Sequence, residues 1–449
     1  MNTCSNIKPL PSSRREFLRS TGMGLGAIAA STMFNENAQA VAPQGKAKRI
    51  LHIFLQGAST HLDMWDYKPE LEKFDGKKIN GNRLGHATDF EFTPCGQSGL
   101  LMSSCFPQLQ KHADDICVVR SMMTDVPAHD IGVRMFNTGQ ISLPRPSFGS
   151  WVSYGLGLAN DNLPGFVSLA PGGAQRYTES MQSAFLPGLH QGTPIDTRLR
   201  DVNQMIANIK TNGTLQEQRR KLDLLAKMNT MHSQLNSKDI ELENRIKSYE
   251  IAYNMQIEAT EAFDVSKEEK KVRDTYGNTD TGKQFLIARR LLERGVRFVQ
   301  AWNGGWDMHD NLFTSLTGRE KDIDGPLTAL IDDLKQRGML HDTLIILGGE
   351  FGRTPHRDGA GRNGYFGRAH QHTGFSTALI GGGVKGGTAY GATDELGYKA
   401  VENPCHVHDL HATVLTLLGF DFKEFTYRYN GRDFRLTDVH GEVQKGIIA

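Results

Sequence analysis

Cysteine, tryptophan and net charge are all scarce in this chain. Five cysteines and four tryptophans are spread over 449 residues, and 51 Lys and Arg face 50 Asp and Glu, for a formal charge of +1. The cysteines that follow Cys4 are Cys95, Cys105, Cys117 and Cys405, and none forms a C-x-x-C pair. That spacing argues against a thiolate zinc site. Cys95 and Cys105 either form one bridge or stay as buried thiols. A nucleic-acid platform would concentrate lysine and arginine, which this sequence does not do. No apolar run reaches the roughly 18 residues that a membrane span needs. The charged fraction of 22%, even in sign, argues against a disordered chain. What is abundant is glycine, at 48 residues, in a chain long enough for one large core with insertions.

The first forty residues read as an address. Ser13-Arg14-Arg15-Glu16-Phe17-Leu18-Arg19 precedes a small-residue apolar stretch from Gly22 to Phe34, and Ala38-Gln39-Ala40 supplies an A-x-A cleavage site. The stretch is too short to span a bilayer and suits a signal h-region. Paired arginines in front of it point to twin-arginine export, with the translocase as a transient partner. The mature chain is then expected to start near Val41 in the periplasm or outside the cell.

The mature chain alternates short apolar runs with helical patterns. Strands are expected at Ile50–Leu55, Ile116–Val119, Val296–Gln300, Thr343–Leu347 and Ser376–Ile380, most of them running into glycine or loop residues. Helices are expected at Thr281–Arg294, Asp324–Arg337 and His408–Leu418. This is the pattern of an α/β fold with a largely parallel central sheet covered on both faces by helices. Ligands in such folds gather beyond the carboxyl ends of the strands. Leu215 to Tyr276 contains no glycine or proline. Its two apolar stripes predict a helical hairpin, broken near Asn236-Ser237, inserted at about residues 200–276.

The loops after the strands carry the chemistry. Asp307 and His309 stand two apart behind the third strand, and oxygen and imidazole ligands suit zinc, manganese or iron. Glu350 follows Gly348-Gly349 behind the fourth. Arg353 is placed either to fork onto a phosphate or sulfate or to pair with Glu350. His61 and Asp63 follow the first strand and are either ligands or a polar cap. Six of the 16 histidines fall between His356 and His411. Among them His370-Gln371-His372 has the form of a two-ligand pair, while His406-Val407-His408 opens a helix and is as well suited to capping it.

Gly57 to Asp66, Arg120 to Gly139, Arg145 to Trp151, Gly305 to Asn311, Gly348 to Pro355, Gly381 to Gly391, Val407 to Gly419 and Gly431 to Asp438 together resemble the bacterial DUF1501 proteins. That group is itself similar to the alkaline phosphatase/sulfatase superfamily. The resemblance implies an alkaline-phosphatase-like sandwich over residues 41–449. It implies an acidic ligand after the first strand, here Asp63. A nucleophile is implied at the start of a helix, nine residues before a Thr-Gly pair. Counting back from Thr138-Gly139 places His129 there, where the superfamily has Ser, Thr or a modified Cys. Asp307 and His309 match the next ligands. Asp342-Thr343-Leu344-Ile345 leads to Glu350-Phe351, so the acid is kept as Glu and its neighbouring His is lost. His370 or His372 supplies the late histidine. The family usually reads Gly-Arg-Asp-His where this chain has Gly367-Arg368-Ala369-His370, which removes a ligand or the group that orients the histidine.

Together these readings imply an exported, metal-dependent hydrolase of sulfate or phosphate esters. Its cation would be zinc first, with manganese, calcium or iron as alternatives, held by His61, Asp63, Asp307, His309, Glu350, His370 and His372. The metal would polarise the ester oxygen and activate a water or His129, an imidazole at the nucleophile position that can attack phosphorus but can equally bind a metal or nothing, and Arg353 would bind the oxyanion. The substrate would be a small-molecule or polysaccharide ester. The same fold also admits a non-catalytic metal- or ligand-binding protein, or an accessory subunit that docks through the helices of 215–276.

Overall fold

The structure is a computed structural model in which residues 44–159, 162–172, 178–206, 213–235, 240–361 and 365–449 are described. The expected signal peptide and the expected break at Asn236-Ser237 lie outside the described residues. In chain order the principal elements are β1 (Arg49–Leu55), β2 (Ile116–Met123), α1 (His129–Thr138), α2 (Phe148–Leu156), β3 (Phe166–Leu169), β4 (Thr193–Ile195), α3 (Leu215–Leu235) and α4 (Ile240–Phe263). They continue with α5 (Asp280–Glu293), β5 (Phe298–Asn303), α6 (Leu312–Gln336), β6 (Thr343–Gly348), β7 (Gly352–Asp358), β8 (Gly367–Gln371), β9 (Phe375–Gly381), β10 (Thr388–Tyr390), β11 (Cys405–His406) and α7 (Val407–Leu417).

The central sheet has nine strands in the order β10-β2-β9-β6-β1-β5-β3-β4, with β11 also paired to β2. β9 runs antiparallel to both of its neighbours, and every other pairing in the sheet is parallel. β1 shows why it sits at the centre. Leu51, Ile53 and Leu55 join one buried cluster, with Phe285 and Leu291 of α5, Leu327 and Leu330 of α6, and Ile251 of α4. Ile50 and Phe54 join the other, with Val133 and Phe136 of α1, Trp151 of α2 and Leu410 of α7. A strand apolar on both faces has to be covered on both faces, which makes three layers: helices, sheet, helices.

The inserted helices α3 and α4 are present. Arg219 of α3 donates to Glu250 of α4 at 2.9 and 3.0 Å, and Ile251, Met255, Ala262 and Phe263 anchor α4 in the core. Two expectations change, and the open question of the cysteines is decided. The third strand starts at Phe298 and runs on to Asn303, because Ala301 and Trp302, expected to lead out, pair with Ile53 and Phe54 of β1. α6 begins at Leu312 and passes through Pro326. The proline removes one helix hydrogen bond, but Ile323, Leu327, Leu330 and Leu334 are buried around it, and the Asp324 carboxylate accepts from the Gln108 and Leu109 backbones at 2.8 and 2.9 Å. All four described cysteines are free thiols. Cys105 donates to Asp63 O at 3.6 Å and Cys95 to Thr93 O at 3.4 Å, so the two do not bridge. Among the described residues no helix is long and apolar enough to cross a membrane.

Candidate metal centre

The register of the sheet brings the loops together. Phe54 lies opposite Gly348, and Leu55 opposite Asn303, so β1, β5 and β6 end side by side. The loops after β1 and β5 touch so closely that a Cβ at Gly57 would stand 2.5 Å from Asp307 N, and Gly57 adopts a φ of 111° that favours glycine. β7 leaves β6 and pairs antiparallel with β8, which sets His370 opposite Arg353. α1 opens with His129 shortly after β2 ends.

Four side chains converge there: His129, Asp307, His309 and His370. One ligand atom from each lies within 4.8 Å of all the others. Asp307 Oδ1 is 2.9 Å from His309 Nε2, 3.2 Å from His129 Nε2 and 3.4 Å from His370 Nε2. His309 Nε2 and His370 Nε2 are 2.9 Å apart. A tetrahedral zinc with bonds of about 2.0–2.1 Å places its ligand atoms about 3.3 Å from one another.

The other nitrogen of each ring explains the orientation. His129 Nδ1 is 2.7 Å from Glu350 Oε1, His309 Nδ1 is 2.6 Å from Asp358 Oδ2, and His370 Nδ1 is 2.8 Å from the Pro127 carbonyl. Each of these acceptors takes an Nδ1–H and leaves an Nε2 lone pair aimed inward. This is how metal-binding imidazoles are held. Three inward lone pairs beside a carboxylate oxygen repel one another unless a cation or a proton sits among them. His129 Nε2 is buried and has no hydrogen-bond partner. The donor set therefore fits a divalent cation.

Neighbouring charges set the protonation. The hydrogen bond to Glu350 raises His129 above its ordinary value, against the opposing effect of burial. Burial lowers His370. For Asp307, burial alone would raise the carboxyl, but the Arg353 guanidinium, with His129 and His309, holds it well below the usual carboxylate range. Asp358 is lowered in the same way: burial alone would raise it, but the hydrogen bonds from His309 and the Gly359 backbone, with the charges of His309 and His356, together hold it below its ordinary value.

The remaining expected site residues are engaged elsewhere. Asp63 accepts a two-pronged ion pair from Arg368, at 2.7 and 3.0 Å, with both side chains buried. It is thereby committed to a guanidinium rather than to a metal ion. His61 Nε2 meets the Gly397 carbonyl at 3.1 Å, and burial lowers its pKa to about 4. His372 lies outside the cluster, and its backbone carbonyl accepts from Thr124 N. Glu350 stands behind His129, where its Oε1 also accepts from Gly57 N at 3.0 Å. Arg353 is 1% exposed and pairs with Asp307 at 2.5 Å, not with Glu350. Its other N–H groups point to the carbonyls of Ala58, Arg368 and Gly57, at 2.8, 3.0 and 2.5 Å, and toward Trp306 O and His309 Nε2. An oxyanion would find no free fork there.

Most of the late histidines are also structural. His406 caps α7, its Nδ1 accepting from His408 N. His408 and His411 bond the carbonyls of Gly139 and Phe136. His356 lies between Arg83 and Tyr398. Asp358 and the Pro127 carbonyl were not anticipated. The one local sign of Asp358 is the Gly359 and Gly361 turn after it, which marks a hairpin rather than a ligand.

Residues 47–448 match the model of a family described as "Protein of unknown function (DUF1501)". The chain belongs to the DUF1501 family. No curated protein matches this DUF1501 chain in sequence. Among solved structures it is similar to the PsFucS1 sulfatase from Pseudoalteromonas sp., with 13% identity over 83% of this chain and 68% of that one and a TM-score of 0.34. It is similar to the phosphonate monoester hydrolase SpPMH from Silicibacter pomeroyi, with 11% identity over 83% and 73% and a TM-score of 0.38. It is also similar to the alkaline phosphatase from the Antarctic bacterium TAB5, with 10% identity over 83% and 98% and a TM-score of 0.36.

Proposed function

We propose that this protein is an exported, metal-dependent hydrolase of sulfate or phosphate esters. One observation carries the proposal. Three imidazoles, each held from behind at Nδ1, and one carboxylate aim their ligand atoms at a single point beyond the strand ends. Three nitrogens and one oxygen suit zinc first, with manganese or iron as alternatives. Calcium, which takes six to eight oxygen ligands, does not suit them. A divalent cation bound there supplies polarisation of an ester oxygen and activation of water.

The chain's own residues do the rest. His129 serves as a ligand rather than as the nucleophile, since its Nδ1 donates to Glu350 and its Nε2 faces the cluster. Arg353 holds Asp307 in place and ionised. Asp307 and His309 are 47% and 42% exposed, so the cluster opens to solvent on their side, where an ester can approach. α1 starts at the cluster, and no side chain caps its first turn. Its backbone N–H groups and the positive end of its dipole suit the anionic oxygens of an ester. Export through the twin-arginine translocase, a periplasmic or extracellular location, domain limits at 40/41 and a small-molecule or polysaccharide substrate complete the proposal.

Elemental analysis of the purified exported protein tests it, followed by turnover of aryl sulfates and aryl phosphates. About one equivalent of zinc, manganese or iron is expected, with both metal and turnover lost in His309→Ala and His370→Ala. A protein that binds no cation, or that keeps full turnover in both variants, would refute the proposal.

A further inference from the structure

We propose that the site selects singly charged tetrahedral esters, meaning sulfate monoesters or phosphodiesters, over doubly charged phosphate monoesters. The inference rests on the metal-centre reading above and follows from the charges built around it. Asp307 lies in the cluster. Glu350 and Asp358 lie directly behind it, hydrogen-bonded to His129 and His309. Against these three carboxylates stand a divalent cation and the Arg353 guanidinium. Three negative charges and three positive ones leave a formal sum of zero before substrate arrives.

Little else is at hand to neutralise a second negative charge. Among the described residues, the hydrogen bonds and ion pairs of the four cluster side chains include one guanidinium, that of Arg353, and no lysine. Arg353 is buried, and its N–H groups are directed at protein acceptors. Arg368, the next guanidinium along β8, is spent on Asp63 and on the carbonyls of His86 and Thr354. What remains for the substrate is the cation's open side and the uncapped first turn of α1, together equivalent to a weak positive field. A single negative charge spread over a tetrahedral group is matched by that field. A second one is held beside Glu350 and Asp358 without compensation, in a partly buried site where charge is poorly screened.

The test begins with metal content, so that loss of the metal-centre reading is seen separately. Titration calorimetry on the metal-loaded full chain then compares methanesulfonate with methylphosphonate, which have the same shape, at a pH where the phosphonate is doubly ionised. The singly charged probe is expected to bind about ten-fold more tightly or better. Asp358→Asn keeps an oxygen acceptor for His309 Nδ1 and removes one negative charge. Measured at saturating metal, it is expected to narrow that ratio several-fold. Turnover of 4-nitrophenyl sulfate against methyl 4-nitrophenyl phosphate then separates the sulfur ester from the phosphodiester. Tighter binding of the doubly charged probe, binding of neither, or a ratio unmoved by Asp358→Asn would overturn the inference even with the metal in place.

Discussion

His52 lies in the middle of β1, fully buried, and neither ring nitrogen has a hydrogen-bond partner. Its ring stacks on Phe136 at 5.3 Å, and the edges of Phe54, Phe148 and Phe298 close around it. Burial lowers its pKa from 6.5 to about 3. The fold therefore holds it neutral, and the unfolded chain takes up a proton first. The stability tied to this group is intact above pH 6.5 and is lost as pH falls from there toward 3, at about 1.4 kcal/mol per pH unit. Between about pH 7 and about pH 5 the loss is about 2 kcal/mol. His52→Leu removes the titrating group while keeping a side chain of similar volume. Urea unfolding of both proteins at the two pH values measures the effect. Relative to wild type, the variant is expected to gain about 2 kcal/mol at the lower pH. Parallel pH profiles for the two proteins would show that His52 is not held neutral, and the reasoning would fail. His411, lowered by burial to about 3, and His86 and His190, each lowered by burial to about 4, act with the same sign. The whole protein is thus expected to lose stability steeply below pH 6.5.

Three further outcomes follow from the site. Asp358→Ala leaves His309 Nδ1 without its acceptor and is expected to weaken metal affinity by about 10–100-fold, measured by competition with a chelator. Cation binding requires neutral imidazoles, and Glu350 raises the pKa of His129, so metal affinity is expected to start falling above pH 6.5 as the solution is acidified. Metal titrations across that range, with Glu350→Gln moving the onset to lower pH, check the sign. Arg368→Ala strands the buried Asp63 carboxylate and is expected to cost about 3–5 kcal/mol by denaturant unfolding. The double replacement Asp63→Leu with Arg368→Leu is expected to cost less than the single change.

The sequence by itself determined the layout. Apolar runs that turn into glycine or loop residues predict β1, β2, β5, β6 and β9, and the 3.6-residue pattern predicts α5 and α7, because both signals report local burial. The same runs placed Asp307 and His309 beyond a strand end, and the H-x-H pair pointed to His370. Tertiary structure alone decided which candidates converge. Whether an imidazole presents Nε2 to a cation depends on what holds its Nδ1. For His129 that partner, Glu350, is 221 residues away, and for His370 the Pro127 carbonyl is 243 residues away. Asp63 was lost to the cluster because Arg368, 305 residues on, meets it with both nitrogens in a buried pocket. Arg353 was turned from an anion binder into a support for Asp307 by the carbonyls that the β1 loop and β8 bring to its N–H groups. Residue type and spacing specify which side chains can do chemistry. The direction each one faces is set by contacts between segments far apart in the chain, and no local pattern encodes it.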